Sequence, residues 1–470
     1  MEHNLFATAI LAAGKGTRLK SKRAKVLHSI AGKPLLQHVL DAVLHVTRPD
    51  QVFVVVGHQA EEVERAVAAT ATGVHFVAQT QQLGTGHAVQ CLREFVRSAS
   101  DLLVLSGDVP LIRPETIERL RAFHQAQQAA MTILTARPEN PFGYGRVLRV
   151  SPTSPEVAAI VEQKALAADQ QHIGEINSGI YVFRVDTLYR HIDLLQANNA
   201  HGEYYLTDMA AILRAAGEQV VALETADATE VLGANTIAEM MDLDVALRAQ
   251  TARRLMAQGV TIQRPETCVI DADVTVGPDT ILEPFVQLLG NTRIGEDCRI
   301  RSYSVIQNST VGNKVLVRNS CILDDATVGD NASIGPFAHL RPGSEIGADA
   351  HIGNFVETKK ARLGVGSKAN HLSYLGDVEI GSGCNIGAGV ITCNYDGVHK
   401  HPTRIGDRVF VGSNATLVAP VSLADDSYVA AASCITEPVP SGSLALGRAR
   451  QTVKPGWVKQ RRAQQEKKKP

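Results

Sequence analysis

The stretch Ile270-Asp-Ala-Asp-Val-Thr-Val276-Gly-Pro-Asp-Thr-Ile-Leu282-Glu-Pro-Phe-Val-Gln-Leu288-Leu-Gly-Asn-Thr-Arg-Ile294-Gly-Glu-Asp-Cys-Arg-Ile300-Arg-Ser-Tyr-Ser-Val-Ile306 carries an aliphatic residue at every sixth position. Two later series keep the same step: Val328, Ile334, Leu340, Ile346 and Ile352, then Ile405, Val411, Leu417, Leu423, Val429 and Ile435. Glycine directly follows the aliphatic marker at 277, 295, 329, 335, 347, 353, 406 and 412. A six-residue step fits neither the turn of an α-helix nor the two-residue alternation of a strand. It is the period of a parallel β-helix, in which three hexads, roughly 18 residues, close one triangular coil and the aliphatic side chains stack inward. Chance spacing of strand residues in a β-sandwich does not give three long in-phase series.

At 470 residues the chain has room for two or three domains with large cores. A net charge of −1 gives no global field to favour nucleic acid or a membrane surface as partner. The seven cysteines, at 91, 268, 298, 321, 384, 393 and 434, contain no C-x-x-C pair. An odd, dispersed set reads as buried free thiols in a reducing compartment rather than a disulfide framework or zinc site. The apolar stretch Leu5–Ala13 lacks a basic flank or cleavage site. No apolar run approaches the roughly 18 residues of a membrane span. A cytoplasmic protein without membrane insertion is expected.

Residues 1–235 have a different grammar. Short apolar runs (Phe6–Leu11, Val52–Val56, Val74–Val77, Leu102–Leu105, Met131–Thr135) alternate with helical patterns such as Leu36-Val39-Leu40-Val43-Val46 and Ile117-Leu120-Phe123. Strand–helix alternation predicts an α/β domain with a mainly parallel, Rossmann-like sheet, whose ligands lie beyond the carboxyl ends of the strands. A connecting helix is predicted over 236–259. Its apolar face would be Ile237, Met241, Val245, Ala249, Ala252 and Met256, with Thr236 and Glu239 at capping-box spacing and Gly259 as the stop. Residues 260–450 form the β-helix domain and 451–470 a tail. The basic run Lys459–Lys469 within that tail reads as solvated and disordered rather than as a binding patch.

After the first strand comes Leu11-Ala12-Ala13-Gly14-Lys15-Gly16-Thr17-Arg18, then Lys25. Glycines at 14 and 16 let backbone N–H groups approach phosphate oxygens, and Arg18 and Lys25 add positive charge where a polyphosphate gathers negative charge. The spacing is neither the G-x-G-x-x-G dinucleotide fingerprint nor a P-loop. After the fourth strand comes Ser106-Gly107-Asp108-Val109-Pro110. A single carboxylate beside a phosphate loop suits Mg²⁺, which takes few protein ligands and relies on substrate phosphates; an ordinary turn aspartate is the alternative.

In the C-terminal half the six-residue period breaks at Asn354–Ala361 and again between Ile386 and Ile405, around Thr392-Cys-Asn-Tyr-Asp-Gly397. Excursions from a solenoid carry function more often than stability. Between them lies Asn370-His371-Leu-Ser-Tyr374. The hexad pattern asks for no imidazole, and His371 can take a proton from a substrate amine. Arg341, Lys359, Tyr374 and Asn385 recur at intervals of about one coil or less and can cluster around an anionic sugar phosphate.

Jointly the N-terminal segments resemble the sugar-phosphate nucleotidyltransferases, marked by L-x-x-G-x-G-T-R followed by a lysine. Four more segments, Gln79-Thr-Gln-Gln-Leu-Gly-Thr-Gly-His87, Gly143-Tyr-Gly-Arg146, Glu175-Ile-Asn-Ser-Gly179 and Gly202-Glu-Tyr-Tyr-Leu-Thr-Asp208, narrow the resemblance. With them the chain resembles the bacterial family of bifunctional UDP-N-acetylglucosamine pyrophosphorylase/glucosamine-1-phosphate N-acetyltransferases over nearly its whole length.

The resemblance implies uridine-nucleotide contacts at Leu11, Ala12, Ala13, Gly14, Lys25, Gln79, Gly84 and Thr85, with Arg18 and Lys25 in catalysis. It implies N-acetylglucosamine contacts at Gly145, Glu162 and Asn177, and Mg²⁺ at Asp108 and Asn235. Asn235 also stands where it could help cap the connecting helix beside Thr236. In the β-helix it implies His371 as general base, with Glu357 to orient it. Arg341, Lys359, Tyr374 and Asn385 would hold glucosamine-1-phosphate, and Ala388, Asn394, Tyr395, Ser413, Ala431 and Arg448 acetyl-CoA. It further implies a left-handed β-helix, a homotrimer with shared sites, and UTP and acetyl-CoA as co-substrates. The product would be UDP-N-acetylglucosamine, a precursor of peptidoglycan and lipopolysaccharide.

Two positions depart from the family pattern. Ala24 stands where Pro is usual, which could loosen the Lys25 loop, and Ser106 where Tyr is frequent. The alternatives are a sugar-1-phosphate nucleotidyltransferase with a structural or regulatory β-helix, and a pure scaffold. The scaffold leaves the glycine turn and Asp108 together unexplained.

Overall fold

The computed structural model describes residues 5–199 and 202–466. The chain divides into two compact units, residues up to Arg248 and residues from Ala249 onward, so the division falls inside the helix Ile237–Ala257.

Nine strands make the sheet of the first unit: β1 (Phe6–Leu11), β2 (Val52–Val56), β3 (His75–Ala78), β4 (Asp101–Ser106), β5 (Met131–Ala136), β6 (Arg146–Arg149), β7 (Val157–Val161), β8 (Ile176–Arg184) and β9 (Val220–Glu224). The order is β9-β5-β8-β4-β1-β2-β3, with the hairpin β6–β7 joined to β8. β1, β2, β3 and β4 pair in parallel, as do β5 and β9, while β8 runs antiparallel to both of its long neighbours. The predicted runs match within a residue or so. The apolar faces of the sheet bury two cores, one around Phe183, Leu102 and Ile133 and the other around Ile10, Leu36 and Leu105.

β8 is fixed from beneath by Glu175, which is 1% exposed. Its carboxylate accepts from Thr135 Oγ1 (2.6 Å), Arg149 Nη2 (2.6 Å) and Arg137 Nη2 (3.1 Å). Burial pushes this carboxyl up, but the hydrogen bonds from Arg149 and Thr135 and the two guanidinium charges outweigh it and hold the group below its ordinary range.

In the second unit three vertical stacks of inward side chains are held in parallel register. Ile262, Leu282, Ile300, Val317, Ile334, Ile352, Ala369, Ile386, Val411, Val429 and Ala445 form one. Ile270, Leu288, Ile306, Leu323, Leu340, Thr358 and Leu375 form another. Val276, Ile294, Val311, Val328, Ile346, Leu363, Ile380, Ile405 and Leu423 form the third. The three sequence series are therefore one continuous prism. From Ile306 to Leu340 and from Ile346 to Ile380 the coils take 17 residues rather than 18, which shifts the phase without breaking the stack.

Hydroxyls and thiols staple successive coils. Thr280 Oγ1 donates to Gly295 O (2.8 Å) and accepts from Cys298 N–H (3.0 Å). Cys298 Sγ repeats the pattern one coil on, with Gly312 O (3.0 Å) and Val315 N–H (3.4 Å), and Cys384 does the same with Gly406 O and Val409 N–H. At one corner the exposed aromatics Phe285 and Tyr303 stack at 5.1 Å, and Phe337 and Phe355 at 5.3 Å, all four in left-handed backbone conformation. Leu372 continues this column.

The helix Ile237–Ala257 buries a stripe that shares only Ala252 with the one predicted. Met240, Leu243, Leu247, Ala252 and Leu255 are buried, while Ile237, Met241, Val245 and Met256 are exposed. The sequence holds two apolar stripes side by side, and packing selects the one rotated by about one residue. Its cap is as predicted, with a shift of partner. Glu239 N–H donates to Thr236 Oγ1 (3.2 Å), and the Glu239 carboxylate accepts from Asn235 N–H (2.8 Å). Gly259, at φ +94, ends it. The predicted disordered tail differs as well: Trp457–Glu466 is an exposed helix, consistent with its Lys, Arg, Gln and Ala content, and the remainder of the run lies outside the described residues. No helix among the described residues is long and apolar enough to cross a membrane.

Two predictions follow from these cores. Glu175→Gln should lower the stability of the first unit by about 2 kcal/mol, because it removes the buried carboxylate charge that pairs with the partly buried Arg149 guanidinium. A carboxyl held below its ordinary value contributes above that value, 4.5, and loses its contribution as pH falls below it. Urea midpoints taken from pH 6 to pH 3 should therefore converge for wild type and variant on the acid side. All seven cysteines are free, and burial raises the Cys321 thiol to about 11. At pH 8 only about one Cys321 in a thousand is then thiolate. With a thiol-reactive disulfide reagent, exposed Cys434 should react first, and Cys268, Cys298, Cys321 and Cys384 only on unfolding; fast labelling of the buried set would contradict the stapled prism.

Candidate active sites

In the first unit the turns after β1 and β4 are tied together: Gly107 N–H donates to Leu11 O (3.0 Å). Gly16 sits at φ +60, and a Cβ there would lie 2.6 Å from Lys25 Cβ, so only glycine admits the Lys25 segment. A Cβ on Gly14 would meet nothing within 4 Å; its backbone borders open cavity. Gln79, 3% exposed, donates from Nε2 to Gly84 O (3.0 Å). Thr85 Oγ1 accepts from Leu206 N–H (3.1 Å), and Gly86 N–H donates to Tyr204 O (2.7 Å), which binds the 79–87 segment to the 202–208 segment.

One cavity of about 750 Å³ is lined by Leu11, Ala12, Ala13, Gly14, Lys25, Gln79, Gly84, Thr85, Asp108, Gly145, Glu162, Asn177 and Asn235 together. Arg18 does not line it but reaches its mouth, donating from Nη2 to Asn235 Oδ1 (3.0 Å). The Lys25 ammonium contacts Asp108 Oδ2 and donates to Asn235 Oδ1 (3.0 Å). Two oxygens of different type thus already hold a cation between them. A carboxylate and an amide oxygen, with phosphate oxygens and water to complete the shell, are a donor set that fits Mg²⁺.

The two departures from the family pattern have local explanations. Ala24 sits at φ −54, close to the value a proline would impose, so the turn into Lys25 keeps its geometry. Ser106 Oγ donates to Asp108 Oδ1 (2.5 Å), giving that carboxylate a fixed partner.

The part of the cavity lined by Gly145, Glu162 and Asn177 is built by an irregularity in β8. Between Asn177 and Tyr181 this strand carries two residues more than β5 opposite it, and the bulge pushes Asn177–Gly179 outward. Ser178 satisfies the bulge, donating to Leu134 O (2.6 Å) and accepting from Ile180 N–H (3.1 Å). Asn177 N–H donates to Gly145 O (2.8 Å), which sets Gly145, Glu162 and Asn177 side by side. Burial, and then the charge of Asp208, push the Glu162 carboxyl up.

In the second unit His371 ends the strand Lys368–His371, its Cα in register with Asn354. His371 Nδ1 lies 2.7 Å from Asn354 Oδ1. With an amide oxygen as partner, Nδ1 carries the proton and Nε2 keeps a free lone pair. The orienting residue is therefore Asn354 and not Glu357, whose carboxylate accepts from Arg341 Nη1 (2.8 Å) instead. Glu357 and Tyr374 are in register, as are Lys359 and Gly376 on the next rung positions, so Arg341, Lys359 and Tyr374 share one face. Asn385 belongs to the neighbouring face, in register with Lys368. Lys400, missed from sequence, joins the cationic group: its ammonium, with Arg341, holds Lys359 below the usual ammonium range. The signal was a lysine inside the longest break of the repeat.

Ala388, Ser413 and Ala431 lie along one edge on successive coils, where Asn414 N–H donates to Ala388 O (2.7 Å) and Ala432 N–H to Ser413 O (2.8 Å). Asn394 and Tyr395 open the 394–402 loop; Asn394 Nδ2 donates to Asp377, and Tyr395 is exposed. Arg448 is exposed beyond the last strand, Leu444–Ala445. A groove of about 1040 Å³ along Thr452–Ala463 contains none of these residues.

Comparison with known proteins agrees with both halves. Residues 8–174 match the MobA-like NTP transferase domain. Residues 273–308 and 325–360 match the bacterial transferase hexapeptide (six repeats), and 402–437 the hexapeptide repeat of succinyl-transferase. The prism is the left-handed parallel β-helix of such transferases. The chain is 61% identical over 465 residues to the bifunctional protein GlmU of Koribacter versatilis (strain Ellin345), covering 99% of each chain. It is 50% identical over 454 residues to that of Solibacter usitatus (strain Ellin6076), covering 96% of this chain and 97% of the relative. With that of Shouchella clausii (strain KSM-K16) it shares 45% over 451 residues, 96% and 98% covered. At this similarity over its whole length, the chain belongs to the GlmU family of bifunctional enzymes, a nucleotidyltransferase joined to a hexapeptide-repeat acyltransferase.

Proposed function

We propose that the second unit transfers acetyl from acetyl-CoA to the amine of glucosamine-1-phosphate, and that the first unit transfers UMP from UTP to the N-acetylglucosamine-1-phosphate so formed. The observation that carries the reading is the single cavity that the glycine turn, Asp108, Asn235 and the sugar-side trio Gly145, Glu162 and Asn177 line together. It has room for a nucleotide and a sugar end to end.

In acetyl transfer, His371 Nε2 takes the proton from the attacking amine as the new C–N bond forms and the thioester C–S bond breaks. Asn354 keeps the imidazole in the tautomer this requires. Arg341, Lys359 and Lys400 hold the sugar's phosphate, with Tyr374 on the same face and Asn385 on the neighbouring one. The edge formed by Ala388, Ser413 and Ala431, with Asn394, Tyr395 and Arg448, receives the coenzyme.

In uridylyl transfer, a phosphate oxygen of the acetylated sugar attacks the α-phosphorus in line and pyrophosphate leaves. Backbone N–H groups of Leu11–Gly14 hold phosphate oxygens, and Arg18 and Lys25 neutralise developing charge. Asp108 and Asn235 would hold Mg²⁺, which would supply further charge neutralisation on the nucleotide's phosphates, and Lys25 would be free to contact the nucleotide. A homotrimer that completes the acetyl-transfer site is supported by the exposed column Phe285, Tyr303, Phe337, Phe355 and Leu372, which runs up to the residue beside His371. Free, mostly buried thiols support a reducing, cytoplasmic setting.

One mixture tests the whole reading: glucosamine-1-phosphate, acetyl-CoA, UTP and Mg²⁺, followed for free thiol and pyrophosphate. Both should appear. Pyrophosphate only on adding acetylated sugar would leave the β-helix without chemistry, and neither product would leave a scaffold. His371→Ala should lower thiol release about 10²–10⁴-fold and, with N-acetylglucosamine-1-phosphate supplied, spare uridylyl transfer; Asp108→Ala should do the reverse. Equal loss in both assays would refute the division of labour.

A further inference from the structure

The bulge that presents Asn177 also places Tyr181 against the cavity, beside Gly145, Glu162 and Asn177. Tyr181 is 3% exposed, its ring packed on Phe183 with centroids 5.7 Å apart. Its hydroxyl accepts from Asn177 Nδ2 (2.8 Å), while Asn177 Oδ1 accepts from Gly179 N–H (3.2 Å). The carboxamide of Asn177 is thus held at both ends.

A phenolic hydroxyl that accepts a hydrogen bond still has its own proton to give. Among the described residues no acceptor takes the proton of Tyr181. Burial raises this phenol far above its usual range, against the hydrogen bond from Asn177, and the charge of Glu162 adds to it; the proton stays on the oxygen. Buried donors in folded proteins have partners, and a donor facing a cavity without one is provision for a ligand.

The neighbouring Glu162 is an acceptor when ionised. A donor and an acceptor set close together match an amide, which offers C=O and N–H across one short group. Of the groups on N-acetylglucosamine, only the acetamido group has that pairing, and its carbonyl oxygen is the strongest neutral acceptor on the sugar.

We propose that Tyr181 reads the acetamido group of the sugar: its hydroxyl donates to the amide carbonyl while it holds the carboxamide of Asn177 in place. The inference rests on the uridylyl-transfer reading and makes Tyr181 a specificity-determining residue. It also gives the first unit a means of rejecting sugar that has not been acetylated.

The test is calorimetric titration of the full chain, wild type and Tyr181→Phe, with UDP-N-acetylglucosamine, UDP-glucose and UDP. The variant should bind UDP-N-acetylglucosamine about 10–100-fold more weakly, with UDP-glucose and UDP unchanged, so that the preference for the acetylated sugar is lost. Unchanged affinity for UDP certifies an intact nucleotide pocket. A preference equal to wild type, or equal weakening of both sugar nucleotides, would overturn the proposal. If the wild type itself releases no pyrophosphate from UTP and N-acetylglucosamine-1-phosphate, the uridylyl-transfer reading falls instead.

Discussion

Everything in the second unit depends on one repeated interaction, the hydrogen bond from the backbone N–H of one coil to the carbonyl of the next. Strands so paired lie about 4.8 Å apart, so a side chain at a given corner always meets the same corner of the next coil. This spacing packs Leu288 on Ile306 and Ile334 on Ile352, and it seats Cys298 between Gly312 and Val315. The same spacing sets the Asn354 amide against the His371 imidazole. The partner of the His371 ring, and with it the tautomer, is thereby set by the fold's pitch.

The first unit reaches its chemistry by a different constraint. Parallel pairing of β1 with β4 brings two strand ends level, and the Gly107–Leu11 hydrogen bond locks the glycine turn beside Asp108. The antiparallel β8 inserts between β4 and β5 and can therefore bulge toward the strand ends, where it delivers Asn177 and Tyr181. The buried Glu175 network anchors the strand just before it leaves its register. Rigidity is placed immediately next to irregularity.

Much of this was legible from residues alone, because period and motif report backbone geometry directly. The aliphatic hexads located the prism, and the glycine turn, Asp108 and the segments around Gly145 and Asn177 line one cavity. What escaped were features set by packing between distant segments. Thr358, buried in the core and bonded to Ser344, is polar and so concealed a rung; 17-residue coils made one prism look like three series. The connecting helix carried two adjacent apolar stripes, and nothing local says that Met240, Leu243 and Leu247 go inside. Glu357 is the partner of His371 that the resemblance implies, and only the register between coils reveals Asn354 against the imidazole. Nothing in the sequence sets Tyr181 apart from the other aromatic of its strand; its place on the cavity shows only in the folded structure.

The coil between Ile380 and Ile405 spans 25 residues where its neighbours span 17 and 18, and the surplus leaves the prism as the 394–402 segment. In a solenoid each turn touches only the turns above and below, so such an outgrowth perturbs nothing beyond its own rung. Ile405 returns to the stack in register with Ile380 as though no excursion had occurred. The architecture behaves like a spindle on which a longer thread can be looped out at any level. Such an arm can be lengthened or retuned while the axis that sets the histidine's partner stays untouched.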